Sequence, residues 1–179
     1  LFDNVIENPT SREVGRCVEV AKSARVELII GLGGGSALDT AKGCNFVLTN
    51  GGHIRDYWGH DKASKPMLPM IAIPTTAGTG SESQSYALIS DEDTHQKMAC
   101  GDEKACPVIA LLDPELTVTQ PRNVAANTGM DALSHALESS VTLKRNLISS
   151  RLSTESFRLL YPNFLAVLRC PENLQARSA

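Results

Sequence analysis

Aromatic side chains are scarce: one Trp, three Tyr and four Phe make up about 4% of 179 residues. The core must therefore rest on Leu, Ile, Val and Ala, which favours layered α/β packing over an aromatic-rich β-sandwich. Basic runs are missing as well. Seventeen Lys and Arg are scattered among twenty acidic residues, for a formal charge of −3. That balance carries no electrostatic footprint for nucleic acid or an anionic membrane. No apolar stretch approaches the ~18–20 residues that span a bilayer, and Leu1-Phe2-Asp3-Asn4 lacks the basic and apolar segments of a signal peptide. A cytoplasmic protein is the expectation. The five cysteines show neither C-x-x-C nor zinc-finger spacing, so reduced and mostly buried thiols are expected. An initiator Met is absent, and the chain reads as a fragment or as a trimmed product.

What is present is an alternation of strand and helix signals. Thr10-Ser11-Arg12-Glu13 after Pro9 reads as a capped helix start, followed by Val14, Cys17, Val18 and Ala21 at helical spacing. Val26 to Ile30 is a short apolar run ending in glycines, the form of a strand buried in a parallel sheet. A second helix is expected from Ala37 to Leu48. The polar stretch 51–66 reads as an irregular connector, and Met70 to Ile73 as the next buried strand. Tyr86 to Ser90, Lys97 to Cys100 and Val108 to Leu112 complete the strand signals. From Pro121 onward the pattern is helical, with Gly129 interrupting the stretch 123–141 and a kink or break expected before Pro162 in the stretch 147–168. The only boundary this suggests lies near residue 120, and no repeat or low-complexity tract is present.

Three stretches can carry chemistry. Gly33-Gly34-Gly35-Ser36 lies between a strand and a helix, where glycines permit close backbone approach and the helix start offers unpaired N–H groups to a phosphate. Neither the P-loop pattern nor G-x-G-x-x-G is present. Thr75-Thr76-Ala77-Gly78-Thr79-Gly80-Ser81-Glu82 follows the Met70 strand, and in a parallel sheet both loops would emerge at the carboxyl edge, where open α/β folds bind ligands. A dinucleotide suits two such loops; a plain structural turn is the alternative for each. Asp131 and His135, at i and i+4, share one helix face and can converge on a divalent cation or simply pair with each other.

Together these stretches resemble the iron-containing, or group III, alcohol dehydrogenases, in Gly33 to Lys42, Ile73 to Glu82 and Gly129 to Glu138. The order and spacing also match. The resemblance implies an α/β parallel-sheet dinucleotide-binding domain over residues 1–120, lacking its first strand–helix unit, then the start of an all-helical metal and substrate domain over 121–179. It implies NAD or NADP as hydride carrier, with Gly34, Gly35, Ser36 and Asp39 as the pyrophosphate loop. Thr75, Thr76, Thr79 and Ser81 would form the second cofactor loop, and Lys97 a ribose contact. Asp131 and His135 would be two ligands of a divalent metal, iron or zinc.

The implied reaction is hydride transfer between the nicotinamide and a metal-bound primary alcohol or aldehyde, with no side-chain nucleophile. The family's two further metal-binding histidines lie downstream of the Asp-x-x-x-His helix, and no histidine follows His135 here. A non-catalytic nucleotide-binding or assembly module is therefore the alternative from another class. A metal-independent relative such as maleylacetate reductase is disfavoured by the presence of Asp131 and His135. An uncovered apolar stripe of Leu152, Leu159 and Phe164 predicts a homo-oligomer.

Overall fold

The computed structural model describes residues 1–179. Thr10 opens the first helix, α1 (Ser11–Ala24), through a reciprocal capping box in which its hydroxyl and backbone N–H both meet Glu13. Arg25 closes that helix in the left-handed conformation (φ 49°), and the Val26 N–H reaches back to the Ala21 carbonyl. This cap occupies the residues where the apolar run suggests a strand. The strand begins later, as β1 (Ile29–Gly33), and runs into the glycines themselves.

The next helix, α2 (Gly35–Asn50), is buried on every side from Leu38 to Val47. Its Leu38 and Ala41 pack on Met70 and Ala72 of β3 (Met70–Pro74). Its Cys44, Phe46 and Val47 join a larger core with Val14, Val18, Ala87, Ile89 and Met98. Fully burying Leu38 and Phe46 stabilises by about 1.5–3 kcal/mol each. A helix enclosed in this way must satisfy its polar side chains internally. Asn45 does so by exchanging two hydrogen bonds with the Leu68 backbone, at 2.8 and 3.0 Å.

Two small sheets flank α2. One is parallel, in the order β1, β3, β6 (Ile109–Ala110), with Gly33 opposite Pro74. The other joins β4 (Tyr86–Ser90) and β5 (Lys97–Gly101) as an antiparallel hairpin, with β2 (Gly59–His60) parallel to β5. The segment 51–66 is thus more ordered than its polarity suggests. It contains β2 and a 3-10 turn, Ile54–Tyr57, whose Ile54 and Tyr57 are buried. The Tyr57 ring lies 5.2 Å from that of Phe46, and its hydroxyl donates to the Gly51 carbonyl at 2.6 Å.

The remaining chain is helical: α3 (Arg122–Val141), α4 (Leu147–Arg169) and the short α5 (Leu174–Arg177). Gly129 does not interrupt α3. A Cβ there would lie 2.5 Å from the Phe164 ring, so glycine is what lets α4 approach. Nor does Pro162 break α4, which runs through it. Pro162 and Arg158 are both exposed, so the carbonyl deprived of its partner is left to water. Leu159 and Phe164 are half-buried, while Leu152, Phe157, Tyr161 and Leu165 stay exposed.

The chain divides into two compact units, Leu1–Pro74 with Ser81–Leu112, and Thr75–Gly80 with Asp113–Ala179. No helix is long and apolar enough to cross a membrane.

Candidate cofactor site

The turn between β1 and α2 is built by glycine. Gly33 has φ of +144°, and a Cβ on it would lie 2.7 Å from that of Ala37. Gly34 caps α2 without any side-chain hydrogen bond, its carbonyl receiving the Ala37 and Leu38 N–H groups at 2.9 and 3.2 Å. The first-turn N–H groups of Gly35 and Ser36 therefore have no helical carbonyl to bond, which suits an anion.

Beside this turn, the Asn8 N–H donates to the Ser36 hydroxyl oxygen at 3.2 Å, and Lys97 Nζ donates to Asn8 Oδ1 at 3.3 Å. The structure thus brings Ser36 and Lys97, 61 positions apart, to either side of one residue. Sequence reasoning passed over Asn8. Its left-handed backbone (φ 52°) is a conformation that Asn tolerates better than most residues, and Asn-Pro is the only local signal for it.

Asp39 and Ser81 lie deeper. Ser81 Oγ donates to Asp39 Oδ1 at 2.5 Å, and Lys42 Nζ donates to Ser81 Oγ at 3.0 Å and to the Tyr86 carbonyl at 2.8 Å. The Lys42 and Asp39 charges are 3.8 Å apart, and the Lys42 side chain is fully buried. Burial pushes the Asp39 carboxyl up, against the Ser81 hydrogen bond and the Lys42 cation that hold it down. Burial pushes Lys42 down, with Asp39 opposing. Lys42 is the second residue missed. A lysine one turn after Asp39 on the helix expected from Ala37 to Leu48 was its only signal.

In the segment Thr75–Gly80, Gly78 has φ of +140°, and a Cβ on it would fall 1.9 Å from the Thr128 carbonyl oxygen, so no other residue fits. Thr76 Oγ1 is buried without a hydrogen-bond partner. Such an orphaned polar atom is rare in folded proteins and fits a loop that receives a polar ligand. Thr75 and Thr79 are half-buried in the same segment. On α3, His135 Nε2 and Asp131 Oδ1 are 3.6 Å apart and both side chains are about half exposed. No third His, Cys, Asp or Glu joins them in a metal-binding group.

A parallel sheet whose first strand hands over to a glycine-headed helix defines the chain as an α/β protein of the dinucleotide-binding type. Residues 1–114 match the model of the iron-containing alcohol dehydrogenases, and the chain belongs to that family. It is 44% identical over 160 residues to alcohol dehydrogenase 4 of Schizosaccharomyces pombe, covering 89% of this chain and 38% of that protein. It is 38% identical to the NAD-dependent methanol dehydrogenase of Bacillus methanolicus, over all of this chain and 47% of that one. The solved structure of sulfoacetaldehyde reductase from Bifidobacterium kashiwanohense in complex with NAD+ superimposes with a TM-score of 0.90 at 32% identity, covering 98% and 47% of the two chains. The chain thus spans less than half the length of these relatives.

Proposed function

We propose that this chain is the cofactor-holding part of an NAD-dependent oxidoreductase acting on a primary alcohol or aldehyde. The observation that carries the reading is the uncapped glycine head of α2, with Ser36, Asn8 and Lys97 gathered beside it. Gly34, Gly35 and Ser36 would take the pyrophosphate through backbone N–H groups and one hydroxyl. Lys97 and Asn8 would meet a ribose. Thr75, Thr76 and Thr79 would bond the cofactor from the second loop, with the orphaned Thr76 hydroxyl finding its partner there. Asp39 and Ser81 act from inside: through Lys42 they tie the first turns of α2 to the start of β4. The nicotinamide, when bound, supplies the hydride acceptor or donor.

Asp131 and His135 are donors of the right kind, and we propose them as two ligands of a divalent metal. Two donors are too few to hold the ion alone, so the chemistry this chain performs by itself is cofactor binding. Relatives named for alcohols and for an aldehyde support the substrate class.

Hydrogen exchange on this chain with and without NAD+ tests the reading. Amides of Gly34 to Asp39 should gain protection, and Ser36→Asp, which sets a carboxylate where a phosphate would sit, should abolish the gain. Equal exchange with and without saturating NAD+ would overturn the reading.

A further inference from the structure

The packing of α1 on α2 sets two cysteines side by side. The helices touch at Gly43, where a Cβ would meet Val14 Cγ2 at 3.0 Å. Cys17 lies one turn beyond Val14, and Cys44 is the neighbour of Gly43. Both thiols are free, and Cys17 packs against the core cluster that contains Cys44. Their settings differ. Cys44 is buried, whereas Cys17 is half-exposed, and both line a groove of about 480 Å³ beside β1, together with Ala21, Ile30 and Ala41. We propose that Cys17 and Cys44 are a peroxide-oxidisable dithiol that closes to a disulfide stapling α1 to α2.

The two thiols are unequal in the way such a reaction requires. Contact with the Cys44 side chain holds the Cys17 thiol below its usual value, against the effect of burial. The same contact, with burial, pushes Cys44 up. Cys17, the more exposed of the two, is the sulfur that a small oxidant reaches. Its thiolate attacks a hydroperoxide and breaks the O–O bond. The sulfur is oxidised to a sulfenic acid, and the peroxide is reduced to water once a proton is taken up. Cys44 then attacks the Cys17 sulfur, the S–S bond forms, and hydroxide leaves with the Cys44 proton as a second water. Two thiols and one hydrogen peroxide give one disulfide and two waters.

The exposed Cys106 and Cys170 are replaced by serine to remove intermolecular pairing, and the chain is treated with hydrogen peroxide, alkylated and digested with trypsin. Cleavage after Arg16, Lys22, Lys42 and Arg55 places the two cysteines on separate peptides, Cys17–Lys22 and Gly43–Arg55. The expected product is these two peptides joined and lighter by two hydrogens, restored to two free peptides by dithiothreitol. In Cys44→Ser the reaction should stop at Cys17 as a sulfenic acid that dimedone captures. Should that variant not fold, a time course on the chain retaining Cys44 serves instead, with dimedone captured at Cys17 before the joined peptides appear and none at Cys44. Both peptides remaining alkylated after peroxide would overturn the proposal. So would Cys17 passing to the sulfonic acid without a joined species.

Discussion

The two units of the chain handle burial in opposite ways. The α/β unit encloses charge: Glu13, Asp39, Lys42, Asp91 and Asp102 are all buried. Each has a partner. Asp91 accepts from Arg55 Nε at 2.6 Å, and Asp102 from the Ala63 N–H at 3.1 Å and Lys104 Nζ at 2.8 Å. Of residues 113–179, the only buried apolar ones are Ala136 and Ala176. Their buried polar companions are Thr117 and Ser153, the latter bonding the Ala136 carbonyl at 2.6 Å. Leu137, Val141, Leu147, Leu152 and Tyr161 are exposed instead. The first unit therefore carries its own core and its own charge compensation. The second is built mainly on the pairing of α3 with α4 and leaves these large apolar side chains exposed.

Breaking the first unit's network should give the largest effect. Lys42→Met leaves Asp39 as a buried carboxylate without its cation, and removes the donor to Ser81 and Tyr86. A loss of about 3–5 kcal/mol is expected, the scale for breaking a buried ion pair on one side. Trp58 is the only tryptophan and lies in this unit, so its fluorescence in urea reads the loss there. Replacing Asp39 by Leu in the same chain should recover part of it, because no lone charge then remains buried. A midpoint unchanged by Lys42→Met would show the network idle.

In the helical unit, the sensitive point is a contact rather than a charge. Gly129→Ala would ordinarily gain about 1 kcal/mol of helix propensity. Here the added methyl meets the Phe164 ring at 2.5 Å, and overpacking of this kind costs about 1–3 kcal/mol. A net loss is expected, seen as faster hydrogen exchange in α3 and α4 with the α/β unit unchanged. A gain in protection would mean that Phe164 moves aside freely.

These two residues also show where sequence reading reaches. The strand–turn–helix around Gly33 was legible because glycine and a following helix start are local signals, although β1 begins at Ile29 rather than at Val26, where the apolar run starts. Lys42 was not legible as a buried residue, because its partners Ser81 and Tyr86 lie 39 and 44 positions away and nothing local says that α2 is enclosed on all sides. Gly129 read as an interruption because its reason, the Phe164 ring, is 35 positions distant. The gathering of Ser36, Asn8 and Lys97 was hidden for the same cause. Helical propensity likewise outvoted Pro162 only because its solvent side could absorb the lost hydrogen bond.

A smaller effect should come from acid. Arg55 and the Thr94 backbone hold the Asp91 carboxyl down, to about 2 from an ordinary 3.8. The folded state therefore binds this proton more weakly than the unfolded one. Its contribution to stability is present above 3.8 and is lost as pH falls through about 2. Asp39 runs the other way, since its raised carboxyl favours the folded state at low pH and loses that contribution as pH rises. Comparison of the chain with Arg55→Met reads Asp91 together with the exposed Asp93, which Arg55 Nη2 also meets at 2.8 Å. The stability gap between the two chains should narrow as pH drops across that window, and a constant gap would show that the Arg55 contact contributes by packing alone.

The smallest effect is expected at Asp131 and His135, and its smallness is informative. Their 3.6 Å pair is about half exposed on both sides, a setting in which ion pairs contribute ~0–1 kcal/mol. Asp131→Ala and His135→Ala should each move the urea midpoint of the helical unit by no more than ~0.5 kcal/mol in stability. NAD+ protection of the α2 head should stay as it is, since neither residue belongs to that turn. Set against Lys42, this separates two kinds of charged residue on helices. Lys42 is used up in holding the fold, with every donor directed inward. Asp131 and His135, about half exposed, are expected to hold little that the fold needs, in keeping with their proposed role. A loss well above 1 kcal/mol on removing either would assign the pair to the scaffold and would count against their proposed role as metal ligands.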